Sequence, residues 1–315
     1  MSTIAITDYT FPHLGIERGI LEPLGHTLVA GQCKSEDAVI ALTAGCDQII
    51  TQFAPVSARV IAAMERAKVI VRYGIGVDNV DLEAAAARGI PVCNIPDYCI
   101  DEVADHTLAL LLALTRRVIP NHRAIAAGDW KLAVPLESMQ ALCRLTVGVV
   151  GYGRIGRAAC ARLRGFGCRL LVSDPAADAG EDAAPLHRLF AESDVVTLHC
   201  PSTAETRGLI GAKTISRMKP GAILINASRG DLVETAALVE ALESGQLSGA
   251  GLDVCAPEPI PAGSPLRRME NVVLSAHIAS ASPAASKRLR EGAANIAARS
   301  ARGEPLPNVV NGVGS

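Results

Sequence analysis

The sequence predicts an α/β protein built from two doubly wound parallel sheets, and three observations carry that expectation. Short apolar runs alternate with helix-length segments through two separate stretches of the chain. A glycine-rich turn opens a helix directly after one of those runs, near the middle of the 315 residues. The core has to be aliphatic, because 49% of residues are hydrophobic and only 3% aromatic. That composition suits helices packed on parallel strands.

In the first stretch, strands are expected at residues 4–7, 48–51, 69–73 and 91–94. Helices are expected at 56–66, after Pro55, and at 82–88, with Asp81 as N-cap and Gly89 just past the end. In the second, strands fall at 146–150, 169–173, 195–199, 222–226, 249–254 and 272–274. A helix over 101–119 separates the two stretches. Its acidic start and Arg116–Arg117 end suit the helix dipole, and Val103, Thr107, Leu110, Leu111 and Leu114 form its apolar face. A last helix, 283–302, ends at Gly303 and is expected to return to the first domain. The domains expected are thus 1–99 with 284–315, and 100–283 inserted between them.

Charge and cysteine usage remove several function classes. The formal net charge is −2 and no long basic run occurs, which gives no footing for nucleic acid. The nine cysteines are scattered without C-x-x-C spacing, so no metal site is expected and the thiols read as reduced core residues. Residues 108–114 are apolar but too short to span a bilayer, and the N-terminus lacks the regions of a signal peptide. A cytoplasmic protein without membrane partners is expected.

The chemistry starts at the glycine turn. Gly151, Gly153 and Gly156 form G-x-G-x-x-G after an apolar strand and at the head of a helix over 154–164. Asp174 closes the next strand, 18 positions after Gly156. This is the full context of a dinucleotide fingerprint. Gly151 allows the tight turn, Gly153 lets backbone approach a pyrophosphate, and Gly156 lets the helix sit close to the strand. The helix N-terminus supplies N–H donors to the anion. Asp174 suits ribose hydroxyls and repels a 2′-phosphate, and Pro175 and Ala176 follow it in place of an arginine. The expected cofactor is therefore NAD.

Three later segments, 226–230, 251–259 and 273–277, end strands of the same sheet and so present Arg229, Glu258 and His277 at its ligand-binding edge. An arginine can grip a planar carboxylate with two parallel hydrogen bonds. A histidine moves a proton at neutral pH, and a carboxylate fixes its tautomer and favours its charged form. Pro257 and Pro259 stiffen the loop around Glu258.

Taken together, these segments resemble the D-isomer-specific 2-hydroxyacid dehydrogenases, the family of phosphoglycerate dehydrogenases, hydroxypyruvate/glyoxylate reductases and D-lactate dehydrogenases. The text that carries the resemblance is G-I-G-V-D-N-V-D-L from Gly74, V-A-D-H-T-L-A-L-L-L-A from Val103 and G-Y-G-R-I-G from Gly151. It continues with H-C-P-S-T-A-E-T-R-G-L-I from His199, M-K-P-G-A-I-L-I-N-A-S-R-G from Met218, and the segments of Asp253, Glu258 and His277. The resemblance implies a Rossmann NAD-binding domain inserted in a flavodoxin-like substrate domain. It implies hydride transfer between NAD and C2 of a small 2-hydroxy/2-oxo acid. Arg229 would bind the substrate carboxylate, His277 would be the acid/base and Glu258 its partner, with backbone N–H groups of Ile75 and Gly76 on the carboxylate's other side. Arg154 and Ile155 would meet the pyrophosphate. Cys200, Pro201 and Thr206 would line the adenosine and phosphate region, Ala227 and Ser228 would approach the nicotinamide, and Asp253 would hold its amide. A homodimer joined through the nucleotide domains is also implied. Two domains around one crevice are expected to close over the ligand and exclude water, on hinges near 98–101 and Ser282.

Two departures from the family pattern, Ala276 and Ser280, bear on the substrate side-chain pocket and remove no reacting group. Two rivals share the motifs. One is an NAD(H)-sensing binding protein like the C-terminal-binding corepressors, to which V-C-N-I-P from Val92 is similar. The other acts on formate or phosphite, and Glu258 counts against it, because formate dehydrogenases carry glutamine there.

Overall fold

The computed structural model describes residues 1–314. The chain forms two compact units, Met1–Tyr98 with the return from Ser282 onward, and Cys99–Ala281. The strands are β1 Thr3–Ile6, β2 Thr27–Ala30, β3 Gln48–Thr51, β4 Val69–Arg72, β5 Val92–Cys93, β6 Thr146–Val150, β7 Arg169–Ser173, β8 Val195–Leu198, β9 Ala222–Asn226, β10 Leu247–Leu252 and β11 Val272–Leu274. The helices are α1 Gly15–Leu21, α2 Glu36–Thr43, α3 Ala58–Ala63, α4 Leu82–Ala87, α5 Ile100–Thr115, α6 Val118–Ala126, α7 Arg154–Gly165, α8 Leu186–Glu192, α9 Ala212–Ile215, α10 Thr235–Ser244 and α11 Pro283–Ala301.

In the first unit the strands pair in the order β2-β1-β3-β4-β5, all parallel. This is the flavodoxin-like order. Alternate residues of each strand feed different cores, because successive side chains point to opposite faces. Ile4, Ile6, Ile50 and Val71 pack with Leu289, Ala293 and Ala297 of α11, while Ala5, Ile49 and Ile70 pack with Val39, Val60 and Ala85 of α2, α3 and α4. The last helix therefore belongs to the first unit. After α11 the chain covers the exposed edge of β5, where Val309 bridges Cys93 and the Asn311 carboxamide accepts the Val92 N–H.

The second unit carries six parallel strands in the order β11-β10-β9-β8-β6-β7. Leu171, Val196, Leu198, Leu224 and Leu252 fill one face; Val147, Val149, Val172, Ile223 and Ile225 fill the other. Both faces are covered, so the sheet is doubly wound. Among the described residues no helix is long and apolar enough to cross a membrane. All nine cysteines are free thiols, seven of them buried, and burial pushes Cys93 and Cys160 up to about 11.

The boundaries differ from expectation in several places. The helix expected over 101–119 stops at Thr115, Arg117 takes the left-handed conformation (φ 51°), and α6 begins anew at Val118. Pro120 explains the break, since it fits the first turn of a new helix but would remove a bond from the interior of an old one. The strand expected at 249–254 is shifted to Leu247–Leu252 with a register irregularity near its start, and 91–94 shrinks to Val92–Cys93. The helix expected at 56–66 is the shorter α3, capped by Ser57. Strand β2 and helices α1, α2 and α6 carried no recognised signal.

One buried ion pair ties α11 into the first unit. The guanidinium of Arg290 donates from Nε to Glu17 Oε1 (2.8 Å) and from Nη2 to Glu17 Oε2 (2.7 Å), and Glu17 also accepts from the Tyr73 hydroxyl (3.0 Å). Both charged side chains are nearly inaccessible to water. Replacing Arg290 by Met strands a buried carboxylate, so we expect a loss of about 3–5 kcal/mol in urea unfolding of the first unit. A loss under about 1 kcal/mol would show that the pair does not anchor α11.

Candidate active site

The fingerprint turn is shaped by what its glycines lack. Gly151 leaves β6 with φ 98°, and a β-carbon on Gly156 would lie 2.1 Å from the Gly151 carbonyl oxygen. Strand end and helix start are therefore in direct backbone contact, which no other residue permits. Gly153 caps α7, and Arg154 and Ile155 are its first residues, so the N–H groups at this end have no intrahelical acceptor. Space beside Gly153 is open. The cradle fits a dinucleotide pyrophosphate.

Asp174 follows β7 and does more than its spacing suggested. Its Oδ2 accepts the Tyr152 N–H (2.6 Å) and its Oδ1 the Ala176 N–H (2.7 Å). The carboxylate thus ties the glycine turn to its neighbouring strand end while keeping acceptor capacity for a ligand. Across the turn, a β-carbon on Gly151 would meet the Cys200 nitrogen at 2.7 Å. The Cys200 carbonyl accepts from Ser228 Oγ (2.6 Å), and the Pro201 carbonyl accepts from Thr206 Oγ1 (2.7 Å). The ends of β6, β8 and β9 are therefore linked by backbone contact and hydrogen bonds, and Gly151, Cys200, Pro201, Thr206, Ala227 and Ser228 gather at one edge.

Arg229 is aimed by a residue that the sequence reading passed over. Asn226, fully buried at the end of β9, donates from Nδ2 to the Arg229 carbonyl (2.8 Å) and accepts the Ser228 N–H at Oδ1 (3.0 Å). This side-chain-to-backbone turn is a recognised habit of asparagine. The N-A-S-R text could have signalled it.

Glu258 and His277 meet as expected. His277 Nδ1 lies 2.9 Å from Glu258 Oε2, and Glu258 Oε1 accepts the Cys255 N–H (2.9 Å). Burial works to raise the Glu258 carboxyl, but the hydrogen bonds from His277 and Cys255, with the nearby Arg229 charge, outweigh it and hold it below the usual range. The carboxylate is therefore ionised across the range in which a histidine titrates. An ionised partner only accepts, so Nδ1 carries a proton and the tautomer of the neutral ring is set. The peptide bonds before Pro257 and Pro259 are both cis.

Asp253 is buried, and its carboxylate already serves the protein. Oδ1 accepts from Ser275 Oγ (2.6 Å) and the Ile278 N–H (2.9 Å), and Oδ2 from the Ala279 N–H (2.8 Å). Its backbone carbonyl accepts the His277 N–H (2.8 Å). Of roughly four acceptor positions on a carboxylate, one remains, on Oδ2.

Ile75 and Gly76 belong to the first unit, on the loop after β4. The Gly74 carbonyl accepts the Ile95 N–H (2.9 Å) and the Ile75 carbonyl accepts from Asn94 Nδ2 (2.6 Å). The N–H groups of Ile75 and Gly76 make no hydrogen bond among the described residues. The loop is held by its carbonyls and offers its donors.

A sequence model of the D-isomer specific 2-hydroxyacid dehydrogenase NAD binding domain matches residues 108–279. A glyoxylate reductase from Korarchaeum cryptofilum is 40% identical over 286 residues, covering 88% of this chain and 86% of that one. A D-3-phosphoglycerate dehydrogenase from Mycobacterium leprae is 39% identical over 262 residues, which are 81% of this chain but 49% of the relative. The crystal structure of a D-lactate dehydrogenase from Aquifex aeolicus, complexed with NAD and lactic acid, matches with a TM-score of 0.86 at 28% identity over 96% of both chains. Motifs, fold and relatives agree, and the chain belongs to the D-isomer specific 2-hydroxyacid dehydrogenase family.

Proposed function

We propose that this protein transfers a hydride between the nicotinamide of NAD and C2 of a small D-2-hydroxy/2-oxo acid. The observation that carries the reading is the His277–Glu258 pair, 2.9 Å apart at the ligand-binding edge of a sheet that also bears Arg229 and the glycine cradle. NAD supplies the hydride acceptor or donor when bound. Gly151, Gly153, Arg154, Ile155, Gly156 and Asp174 hold its pyrophosphate and adenosine ribose, with Cys200, Pro201 and Thr206 beside them. Ala227, Ser228 and the last acceptor position of Asp253 serve the nicotinamide end.

Arg229 grips the substrate carboxylate with its planar fork and polarises the 2-oxo group. In the first unit, the N–H donors of Ile75 and Gly76 suit a carboxylate as well. In oxidation, Nε2 of His277 accepts the C2 hydroxyl proton, and Glu258 stabilises the imidazolium that results. In reduction, the protonated ring returns the proton to the C2 oxygen. The relatives above carry oxidoreductase names, and the NAD(H)-sensing reading finds no support among them.

We further assign a cytoplasmic homodimer. Val118, Ile125, Trp130, Leu132 and Leu136 are all exposed on a single stretch of the second unit. A second copy would cover that apolar surface. A solution mass of one chain would overturn the assignment.

The direct test is NADH oxidation with a panel of glyoxylate, hydroxypyruvate, pyruvate and phosphohydroxypyruvate. We expect turnover with at least one acid, and a preference for NADH over NADPH, because the Asp174 charge repels a 2′-phosphate. No turnover with any acid, or a preference for NADPH, would contradict the reading. Arg229→Lys keeps the charge and loses the fork, so kcat/KM is expected to fall by roughly tenfold to a thousandfold. Activity within about twofold of wild type would show that Arg229 is not the anchor.

A further inference from the structure

The turn that carries His277 is conformationally demanding. His277 has φ 54°, in the left-handed region that a β-carbon disfavours. Such a residue persists only when its surroundings hold it there. Glu258 holds the ring. The backbone on either side is held by Asp253, through the His277, Ile278 and Ala279 N–H groups and the Ser275 hydroxyl.

Asp253 is itself held from a helix far away in sequence. His106 Nε2 lies 2.8 Å from Ser275 Oγ, and Ser275 Oγ lies 2.6 Å from Asp253 Oδ1. Two features bring His106 there. A β-carbon on Gly251 would lie 2.9 Å from Leu110 Cβ, so α5 packs on β10 at a distance that only glycine allows. Arg162 of α7 pairs with Asp101 (2.9 Å) and Asp105 (2.5 Å), which fixes the first turns of α5 just before His106.

The direction of the hydrogen bonds follows from chemistry. An ionised Asp253 only accepts, so the Ser275 hydroxyl donates to it. The oxygen of Ser275 then accepts from His106, whose proton must sit on Nε2. Imidazole, hydroxyl and carboxylate form a one-way chain in a half-dry site, where successive bonds polarise one another.

We propose that His106 and Ser275 are positioning residues for the reaction: they fix the Asp253 carboxylate, which in turn fixes the backbone from which His277 works. Neither touches the reacting atoms. The proposal rests on the reading of His277 as the proton carrier.

The test uses the full-length protein with Ser275→Ala, His106→Leu, the double variant, and two conservative variants. Ser275→Thr retains the hydroxyl, and His106→Gln reaches a donor N–H to about the place of Nε2. Ser275→Ala and His106→Leu should each lower kcat on the order of tenfold to a hundredfold, the cost of misplacing a catalytic group by a fraction of an ångström to an ångström. The KM for the 2-oxo acid should stay within about threefold, since the arginine anchor is untouched. The double variant should be no worse than the poorer single variant, because either change breaks the same chain. Ser275→Thr and His106→Gln should restore most of the rate. Independently of activity, the His277 Nδ1–H proton, bonded to Glu258, should give a broader resonance in Ser275→Ala than in the wild type.

Near-normal kcat in Ser275→Ala beside an inactive His277→Ala would overturn this proposal and leave the function standing. So would a loss of kcat that is not rescued by threonine or glutamine. An active His277→Ala would instead overturn the function reading itself.

Discussion

Parallel pairing is the constraint on which the site depends. Six strands of the second unit run the same way, so their carboxyl ends open on one edge, and every residue that follows a strand is delivered there. Gly151 follows β6, Asp174 follows β7, Cys200 lies just past β8, Ser228 and Arg229 follow β9, Asp253 follows β10 and Ser275 to His277 follow β11. Residues as far apart in sequence as Gly151 and Cys200 become neighbours without any long-range design beyond strand order. The switch in that order between β6 and its two neighbours, β7 and β8, places the glycine turn where ligands enter such sheets.

Within that frame, two carboxylates near the end of β10 perform different tasks because their surroundings differ. Glu258 sits on a partly open loop and presents one oxygen to the His277 ring and the other to the Cys255 N–H. Asp253, two per cent exposed, is spent on donors of the turn after β11. One faces the imidazole and fixes its tautomer; the other fixes where its backbone stands. The distinction is one of burial and hydrogen-bond partners rather than of chemical type.

Much of this was legible from residues alone, for identifiable reasons. The glycine spacing is a steric requirement, so it survives as text: Gly156 must be glycine because the Gly151 carbonyl occupies the place of its β-carbon. Arg229, Glu258 and His277 could be read because each follows an apolar run with strand character. Asp253 and His106 could not be read as a unit, since their link runs through Ser275, 169 positions from His106. Asp174 was read as a ribose ligand only, because its bond to the Tyr152 N–H is a property of two strand ends lying side by side. Strand β2 escaped notice because it is a short edge strand with one buried residue in four, and the single helix expected over 101–119 was an apolar pattern running on past a backbone break at Arg117.

Proton transfer at His277 should depend on the Glu258 charge 2.9 Å from its ring. Glu258→Gln keeps the shape and a hydrogen-bonding group but removes the charge that favours imidazolium. The decisive measurement is the pH–rate profile of wild type and Glu258→Gln in both directions. Reduction needs the protonated ring, so its fall should begin at lower pH in the variant; oxidation needs the neutral ring, so its rise should also begin at lower pH. Profiles that superimpose in both directions would contradict the account.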